Sequence, residues 1–466
     1  MLSQEQITEI VQKTLAQMNG APAAAASGNG WMFDRAEDCV ETAFAAQKKL
    51  VALTMEHRAK IIEAMRAAAR ANAERLATMA YEETGYGRVS DKIAKMLLVC
   101  DKTPGTEDIV PRVYTGDYGM TLEEHAPYGV IGSITPSTNP PSTVVNNSIS
   151  MIAAGNAIVF NPHPAATKCC QEAMKVLNEA IVAAGGPLGL ICCPTKPSME
   201  TSDVIMNHPK IKLLSVTGGE GVVKVAMKTG KKCIAAGPGN PPVIVDETAV
   251  IEKAGKHIVD GASFENNILC VAEKEAFIVN SVYDQVMAEM QKNGAWLIKG
   301  ADIDKVVKTT LIEKDGKYVI NRKFVGHDAT YIMDAAGVSY TGKPRLIIAE
   351  VEKYHPFVIT EMLMPVLGCV RCANVDQAID WAVEAEHGCW HSSMMHSTNY
   401  LNMTKAAKAL NTTIFVKNGP STAGVGFQGE GHATLTIATP TGEGLTSARS
   451  FTRTRRCILE EGFRII

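Results

Sequence analysis

The strongest constraint on the fold is an alternation of apolar runs and amphipathic helical segments that begins near residue 128. Apolar runs of this kind are typical of strands that are buried on both faces of a sheet. They lie at residues 130–134, 157–160, 190–193 and 213–216. Helical periodicity fills the intervals, at residues 142–154, 167–184, 199–206 and 221–229. This alternation predicts a doubly wound α/β domain built on a parallel sheet.

The length of the chain predicts more than one such domain. A single hydrophobic core does not extend over 466 residues, so two or three domains are expected. The alternation resumes further on, with a helix, a strand and a helix predicted at 247–261, 275–279 and 282–291. We therefore predict one α/β domain at residues 31–245 and a second at 246–435. Strand-like segments at 113–126 and 436–466 are expected to leave this body.

Composition excludes several classes of function. The net charge is −3 and there is no basic block, which argues against nucleic acid or an anionic membrane as a partner. No apolar run approaches the length of a membrane span, and Glu5 and Glu9 make the N-terminus unlike a secretory signal. Twelve cysteines without regular spacing indicate a reducing, cytoplasmic compartment. The one C-x-x-C, Cys369 to Cys372, lies in a predicted strand whose side chains alternate, so we predict no metal site.

Residues 1–20 have the features of a separate amphipathic helix. Ser3 is a favourable N-cap with Gln6 at the capping-box position. The apolar side chains that share one helical face are Ile7, Ile10, Val11, Leu15 and Met18. A linker of small residues follows at 20–30. A short helix on such a tether is predicted to dock on a partner; the alternative is a helix packed on its own domain.

Cys270 is the candidate nucleophile. It ends the segment 264–270, a polar loop between a predicted helix and a predicted strand, and such element ends often carry active-site residues. A thiolate there would attack a carbonyl carbon. Asn139, which follows a buried strand, is a candidate donor for the resulting oxyanion. Taken alone, Cys270 could be a core residue and Asn139 a turn residue.

A glycine-rich turn at residues 217–221 is a candidate phosphate-binding element. Thr217, Gly218 and Gly219 follow a strand and open a helix, so backbone N–H groups at the helix N-terminus could receive a pyrophosphate. Many strand–helix turns need glycine for steric reasons alone, and the spacing is not that of G-x-G-x-x-G.

The segments 131–140, 235–242 and 264–270 together resemble the aldehyde dehydrogenase superfamily. The resemblance implies an aldehyde dehydrogenase-like fold, α/β with two doubly wound domains, in which residues 113–126 and 436–466 build a small oligomerisation β-extension. It implies that Cys270 is the nucleophile, Asn139 the oxyanion-hole amide, and Glu361 the carboxylate that holds the nicotinamide ribose. The other cofactor-binding residues that it implies are Thr135, Pro136, Asn161, His163, Pro164, Thr217, Gly218, Gly219 and Gly237. Many members have lysine where Asn161 stands, which favours NAD over NADP.

Residues 439–457 resemble the C-terminal signature of the CoA-acylating propionaldehyde and acetaldehyde dehydrogenases of bacterial microcompartments, and His391 matches a histidine of that branch. Ala235 stands where hydrolytic members have a glutamate base. Water is a poor nucleophile without a base, whereas a thiol ionises near neutrality, so acyl transfer to coenzyme A is expected. Glu265, which is close to Cys270 in the sequence, could act as a substitute base. The arginines of the tail, which either bind CoA phosphates or form ion pairs, are Arg449, Arg453, Arg455 and Arg456.

The resemblance also implies partners and location. We expect a homodimer or homotetramer inside a cytoplasmic microcompartment, with residues 1–20 docking on the shell or on a co-encapsulated protein. The competing hypotheses are a hydrolytic aldehyde dehydrogenase, a reductase of acyl phosphates, and a non-catalytic scaffold of the microcompartment.

Overall fold

The structure, a computed structural model, describes residues 29–466. The docking helix predicted at 1–20 and most of its linker therefore lie outside the described residues. Within residues 29–466, no helix is both long enough and apolar enough to cross a bilayer.

The first half of the described chain begins mainly with successive helices and, from residue 130, alternates strands and helices as the sequence predicts. Its strands are β1 (Met32–Phe33), β2 (Arg112–Gly116), β3 (Gly119–Pro127), β4 (Val130–Thr135), β5 (Ala157–Pro162), β6 (Ile191–Pro194), β7 (Ile211–Thr217) and β8 (Lys232–Ala236). Its helices are α1 (Ala36–Val51), α2 (Met55–Ala71), α3 (Ala73–Thr84), α4 (Val89–Lys102), α5 (Pro140–Ala153), α6 (Thr167–Ala183), α7 (Met199–Asn207) and α8 (Glu220–Lys228).

The second half contains the remaining elements. Its strands are β9 (Pro242–Val245), β10 (Glu275–Val279), β11 (Ala295–Ile298), β12 (Leu311–Lys314), β13 (Lys317–Ile320), β14 (Leu346–Glu350), β15 (Val366–Cys372), β16 (Ser392–His396), β17 (Ile414–Lys417), β18 (Ile437–Ala438), β19 (Gly444–Leu445) and β20 (Thr452–Glu460). Its helices are α9 (Ile251–Ser263), α10 (Asn280–Lys292), α11 (Ala301–Thr310), α12 (Ala329–Ala336), α13 (Pro356–Ile359), α14 (Val375–Ala385) and α15 (Tyr400–Leu410).

The first domain is built on a parallel six-stranded sheet with the order β1-β6-β5-β4-β7-β8. Most residues of its strands are buried because helices cover both faces of the sheet, and the largest hydrophobic cluster within residues 29–466 surrounds them. The chain runs from β4 outward through β5 and β6, then returns to β7 on the other side of β4. The order therefore reverses between β4 and β7, and a crevice at their carboxyl ends is where such sheets bind ligands.

The second domain is built on a parallel seven-stranded sheet with the order β11-β14-β15-β10-β9-β16-β17. Strand β9 lies near its centre, paired with β10 and β16, although the sequence predicted residues up to 245 in the first domain. The chain thus crosses between the sheets at residues 237–241, earlier than predicted. Cys369 and Cys372 belong to hydrophobic clusters on opposite faces of this sheet, as their spacing on β15 predicts.

The third sheet is an antiparallel extension with the order β2-β3-β20. The hairpin β2–β3 leaves the first domain, and β20 pairs along the whole length of β3, from Thr452 opposite Pro127 to Glu460 opposite Gly119. The sequence predicted both segments, but the tail joins the extension only from Thr452. Residues before it pack on the first domain, where Ala448 and Phe451 enter the hydrophobic core.

Candidate active site

Cys270 follows a tight left-handed turn that starts where α9 ends. Glu265, Asn266 and Asn267 have φ values of 49°, 55° and 62°, a conformation that L-residues rarely adopt and that asparagine tolerates best. Three such residues in succession persist only where the surroundings hold each of them in place. Backbone strain of this kind is frequent at functional sites.

Side-chain hydrogen bonds hold this turn at each residue. Asn266 Nδ2 donates to the Gly326 carbonyl (2.9 Å), and Asn267 Nδ2 donates to the carbonyls of Ala262 and Glu273 (both 2.8 Å). The Lys274 ammonium is completely buried and donates to Asn267 Oδ1 (2.5 Å), the Asn267 carbonyl (2.9 Å) and the Leu269 carbonyl (3.0 Å). The position of Cys270 is therefore fixed by a buried network of hydrogen bonds that Asn266, Asn267 and Lys274 donate.

Cys270 is partly exposed as a residue, unlike most of the cysteines. Nine of the twelve are buried, and Cys389 and Cys457 are the others that solvent reaches. Desolvation raises the pKa of Cys270 to about 12, and the Glu361 carboxylate acts in the same direction. The buried Lys274 ammonium opposes this rise. The thiol is thus protonated at neutral pH while the site is free.

Asn139 lies at the start of α5 with its side chain available for another role. Asparagine is a favoured N-cap, but Pro140 and Pro141 occupy the first two helical positions and carry no N–H, and the Asn139 side chain does not cap the helix. Instead, its Oδ1 atom accepts a hydrogen bond from Lys95 Nζ (2.6 Å). The same ammonium pairs with Glu265, which connects α5 of the first domain to the Cys270 turn of the second.

Glu265 does not have the surroundings of a general base, contrary to the alternative raised from the sequence. Its carboxylate is completely buried, and Lys92 Nζ (2.5 Å) and Lys95 Nζ bind its two oxygens. Burial would raise the pKa of Glu265, but the ammonium groups of Lys95 and Lys92 outweigh burial and hold that pKa below its usual range. Ala235 is also buried, within the apolar core of the first domain.

The predicted cofactor residues are brought together at the carboxyl edge of the six-stranded sheet. Thr135 ends β4, and its carbonyl accepts the His163 N–H (3.1 Å), which joins the ends of β4 and β5. Thr217 ends β7, and Gly219 precedes α8 in a turn where a side chain would meet no other group. The Thr135 hydroxyl is buried with no hydrogen-bond partner among residues 29–466. An open glycine turn and an unpartnered hydroxyl at a switch point fit a dinucleotide.

Four further predicted residues lie beside this edge in different surroundings. Asn161 uses its amide within the fold: Oδ1 accepts from Thr201 Oγ1 (2.7 Å) and Nδ2 donates to the Ser198 carbonyl (3.2 Å), which stabilises the capping box of α7. Pro136 is half-buried and Pro164 is exposed. Gly237 follows β8, where an added Cβ would lie 3.0 Å from Pro440 Cγ.

Glu361 and His391 lie on either side of the Gly239 backbone. The Gly239 N–H points at Glu361 Oε1 (3.5 Å), and a Cβ added to Gly239 would lie 2.8 Å from His391 Cγ. Burial raises the pKa of Glu361, opposed by Lys274. Desolvation, helped by Lys274, lowers the pKa of His391 to about 4, so its imidazole is neutral. His391 Nδ1 bonds Ser392 Oγ (2.8 Å), while Nε2 has no partner in the described part of the chain.

The arginines of the tail lie outside this cluster. Arg449 binds Asp108 through its side chain (3.0 Å) and Arg456 pairs with Glu123 on β3. Arg453 and Arg455 are exposed on β20 of the extension. Of the two interpretations raised from the sequence, ion pairing within the fold describes Arg449 and Arg456.

Sequence reasoning missed the lysines of this site. Lys92 and Lys95 are 4% and 2% exposed on α4, and Lys274 is completely buried. A signal was present, because Lys92, Lys95, Met96 and Val99 share one face at helical spacing and the last two are core residues. Lysines that extend an apolar face are candidates for buried ion pairs.

Comparisons with known proteins show which family and which solved structures this chain is similar to. The profile of the "Aldehyde dehydrogenase family" matches residues 25–440. The chain is 48% identical over 470 residues to the acetaldehyde dehydrogenase (acetylating) of Salmonella typhimurium, covering 100% of both. A propionaldehyde dehydrogenase structure from the Clostridium phytofermentans fucose utilisation bacterial microcompartment has 45% identity and a TM-score of 0.91, covering 93% of this chain and 99% of that chain. That of Rhodopseudomonas palustris, with bound CoA and an acylated cysteine, has 44% identity and a TM-score of 0.92, covering 94% and 100%.

Proposed function

The chain belongs to the aldehyde dehydrogenase family, and we propose that it is a CoA-acylating member, which converts a short aldehyde, CoA and NAD into acyl-CoA and NADH. One observation carries the proposal. The partly exposed Cys270 lies on a rigid turn tied to Asn139, and neither place at which a general base was considered offers one: Ala235 is apolar and Glu265 is neutralised by two lysines.

Cys270 and Asn139 have complementary roles in the first half-reaction. The Cys270 thiol loses its proton to solvent, the resulting thiolate adds to the aldehyde carbonyl carbon, and the carbonyl oxygen becomes an alkoxide. The Asn139 amide and the Cys270 backbone N–H donate to that oxygen. The alkoxide then reforms the carbonyl as the aldehyde hydrogen departs as hydride, which leaves a thioester on Cys270.

The carboxyl edge of the six-stranded sheet would hold NAD, which supplies the hydride acceptor when bound. Thr217, Gly218 and Gly219 would receive its phosphates at the start of α8, beside the ends of β4 and β5. Glu361 lies close enough to Cys270 for its charge to raise the pKa of the Cys270 thiol. A ribose held by the Glu361 carboxylate would therefore place the nicotinamide near that thiol.

The second half-reaction favours a thiol over water for two physical reasons. A water molecule near the thioester would find no basic carboxylate at residue 235 or 265, and water attacks slowly without one. The CoA thiol ionises far more readily than water and its thiolate is intrinsically a good nucleophile. Its attack on the thioester carbon releases acyl-CoA and regenerates Cys270. We assign the contact with the incoming thiol to His391, whose neutral imidazole has an unpartnered Nε2 atom.

The names of the relatives support a short aldehyde as substrate and a microcompartment as location. Acetaldehyde and propionaldehyde differ by one methylene. We propose propionaldehyde as the preferred substrate, because two of the compared structures are of propionaldehyde dehydrogenases. We propose that residues 1–20 dock the enzyme inside the compartment. Deletion of these residues should leave turnover unchanged and abolish co-purification with shell proteins; a variant that still co-assembles would contradict the docking role.

The extension supports a homo-oligomer. Both edge strands, β2 and β20, present apolar side chains to solvent, and unpaired strand edges with such side chains tend to associate. Those that are at least half exposed on the extension are Val113, Tyr114, Tyr118 and Ile458. We propose that a second copy covers this surface in a homodimer or homotetramer.

The acyl-enzyme can be tested directly. The purified protein is incubated with propionyl-CoA in the absence of NADH, digested, and analysed by mass spectrometry. The propionyl group is expected on the Cys270 peptide, and Cys270→Ala should abolish it. Cys389→Ala is the matched control, since Cys389 is the other partly exposed cysteine of the second domain. Acylation that survives Cys270→Ala would refute the assignment.

A further inference from the structure

Lys95 contacts both halves of the candidate site at once. It lies on α4 and is almost completely buried, although α4 carries neither the nucleophile nor the candidate oxyanion donor. Its Nζ atom donates to Asn139 Oδ1 (2.6 Å) and pairs with the Glu265 carboxylate, which lies in the turn that precedes Cys270. One ammonium group therefore sets the position of the Asn139 side chain relative to the Cys270 loop.

The chemistry of the ammonium decides how the Asn139 amide is oriented. A lysine ammonium only donates hydrogen bonds, so the Asn139 atom that faces it must be the oxygen. The amide nitrogen then points away from Lys95. Its one hydrogen bond within the described residues is to Thr138 Oγ1, at 3.3 Å. Asn139 Nδ2 thus keeps an N–H for a substrate oxygen.

Glu265 accounts for the presence of a cation in this buried position. An unpaired ammonium would be strongly destabilised there. The carboxylate neutralises Lys95, and Asp91 Oδ2, also from α4, accepts the Glu265 N–H (2.8 Å). Helix α4 thereby holds the Cys270 turn through both the backbone and the side chain of Glu265. The passage of this side chain also requires Gly87, since a Cβ there would collide with Glu265 Cγ.

We infer, building on the proposed function, that Lys95 is a positioning residue: it fixes the Asn139 amide with its N–H toward the oxygen of the aldehyde attached to Cys270, with Glu265 as its counter-ion. Lys95 acts through Asn139 and does not itself bind substrate. An amide free to rotate would present oxygen to the alkoxide for part of the time, and the two would repel each other.

Lys92 provides a matched control for the test. It lies three residues before Lys95 on the same helix, is equally buried, and also binds Glu265, but it has no hydrogen bond to Asn139. Lys95→Met is expected to reduce kcat about 10- to 100-fold with little change in KM, the range of one charge-assisted hydrogen bond. Lys92→Met removes a bond to the same Glu265 carboxylate but no bond to Asn139, so its loss of kcat should be smaller than that of Lys95→Met. Equal losses of kcat in the two variants would overturn the inference.

A double-mutant cycle with Asn139 separates positioning from general damage to the fold. In an Asn139→Ala background, Lys95→Met should reduce kcat no further, because the amide that it positions is gone. If the double variant loses kcat by the product of the two single-variant factors, the inference is overturned. A melting curve and NAD binding establish that each variant is folded.

A second variant avoids any disturbance of the lysines, should Lys95→Met not fold. Asn139→Asp keeps an oxygen for Lys95 but removes the N–H, so kcat should fall about 100- to 1000-fold while the melting temperature is maintained. An active Asn139→Asp enzyme would overturn the inference.

The proposed function is judged separately, on the wild-type enzyme. Absence of CoA-dependent acyl transfer by the wild type would refute that function. An active wild type together with a fully active Lys95→Met variant would refute only the role of Lys95.

Discussion

The ionisation of Cys270 gives the sharpest quantitative prediction. Burial and Glu361 raise the pKa of its thiol from 9.0 to about 12. At pH 7, that rise reduces the thiolate fraction about 1000-fold. A more basic thiolate is also more nucleophilic, with a Brønsted slope of about 0.4–0.5, which restores a factor of about 15 to 30. Alkylation of Cys270 at pH 7 should therefore be about 30 to 60 times slower than that of a thiol with the ordinary pKa.

The assay is alkylation by iodoacetamide, followed by mass spectrometry of the Cys270 and Cys457 peptides between about pH 6 and pH 11. Cys457 is exposed on β20 and reports the reactivity of an accessible thiol in the same tube. Because steric shielding also slows alkylation, the slope with pH is the deciding quantity. The rate of Cys270 alkylation should still increase with pH at about pH 10, because the pKa of the Cys270 thiol is about 12.

Two substitutions should move this profile in opposite directions. Glu361→Gln has almost the same shape and removes the negative charge, so the pKa of Cys270 falls and alkylation at neutral pH becomes faster. Lys274→Met removes the cation that lowers this pKa, so alkylation becomes slower. One pKa unit corresponds to a rate change of about threefold after the nucleophilicity correction. A Cys270 rate that levels off below pH 9, or a slower Glu361→Gln enzyme, would refute the electrostatic account.

Other consequences follow from the same structure. Ile458→Asp places a charge on the exposed apolar face of the extension and should reduce the oligomer mass in light scattering; an unchanged mass would place the interface elsewhere. Gly239→Ala should displace the His391 ring and reduce CoA-dependent turnover more than acylation of Cys270, measured as the two half-reactions. Burial holds the pKa of His391 at about 4 and of His396 at about 3, so their contribution to stability is present above pH 6.5 and lost as pH falls toward these values. His396→Gln should flatten the acid side of a plot of urea midpoint against pH, and an equally steep plot would contradict this assignment.

The sequence predicts much of the fold because parallel buried strands have a local signature. The four strands predicted in the first domain all appear, within two residues at either end, since their pattern depends on burial on both faces. The predicted domain boundary after residue 245 leaves β9 in the first domain, whereas β9 pairs in the sheet of the second. The apolar residues of β9 are compatible with a buried strand in either sheet. A short apolar run does not determine which strands it pairs with, because pairing depends on distant segments.

The sequence predicts as site residues those that lie in motifs. It does not predict those whose contacts arise only from packing of the folded chain. Cys270 and Asn139 stand in recognisable segments, whereas Lys95 lies 44 residues before Asn139, on a helix that looks like an ordinary amphipathic one. Asn161 stays a predicted cofactor residue, and the structure adds a contact that its motif does not display, since its amide stabilises α7. Contacts between distant segments decide such roles, and one sequence does not display them.

The fate of the acyl group tests the central claim most directly. Purified wild-type protein is given propionaldehyde and NAD, with and without CoA, while NADH is followed by absorbance and the products are identified by chromatography. We predict that steady NADH formation requires CoA and that propionyl-CoA forms in equal amount. Formation of propionate at the same rate without CoA would contradict the account, because it would mean that another group in the site activates water.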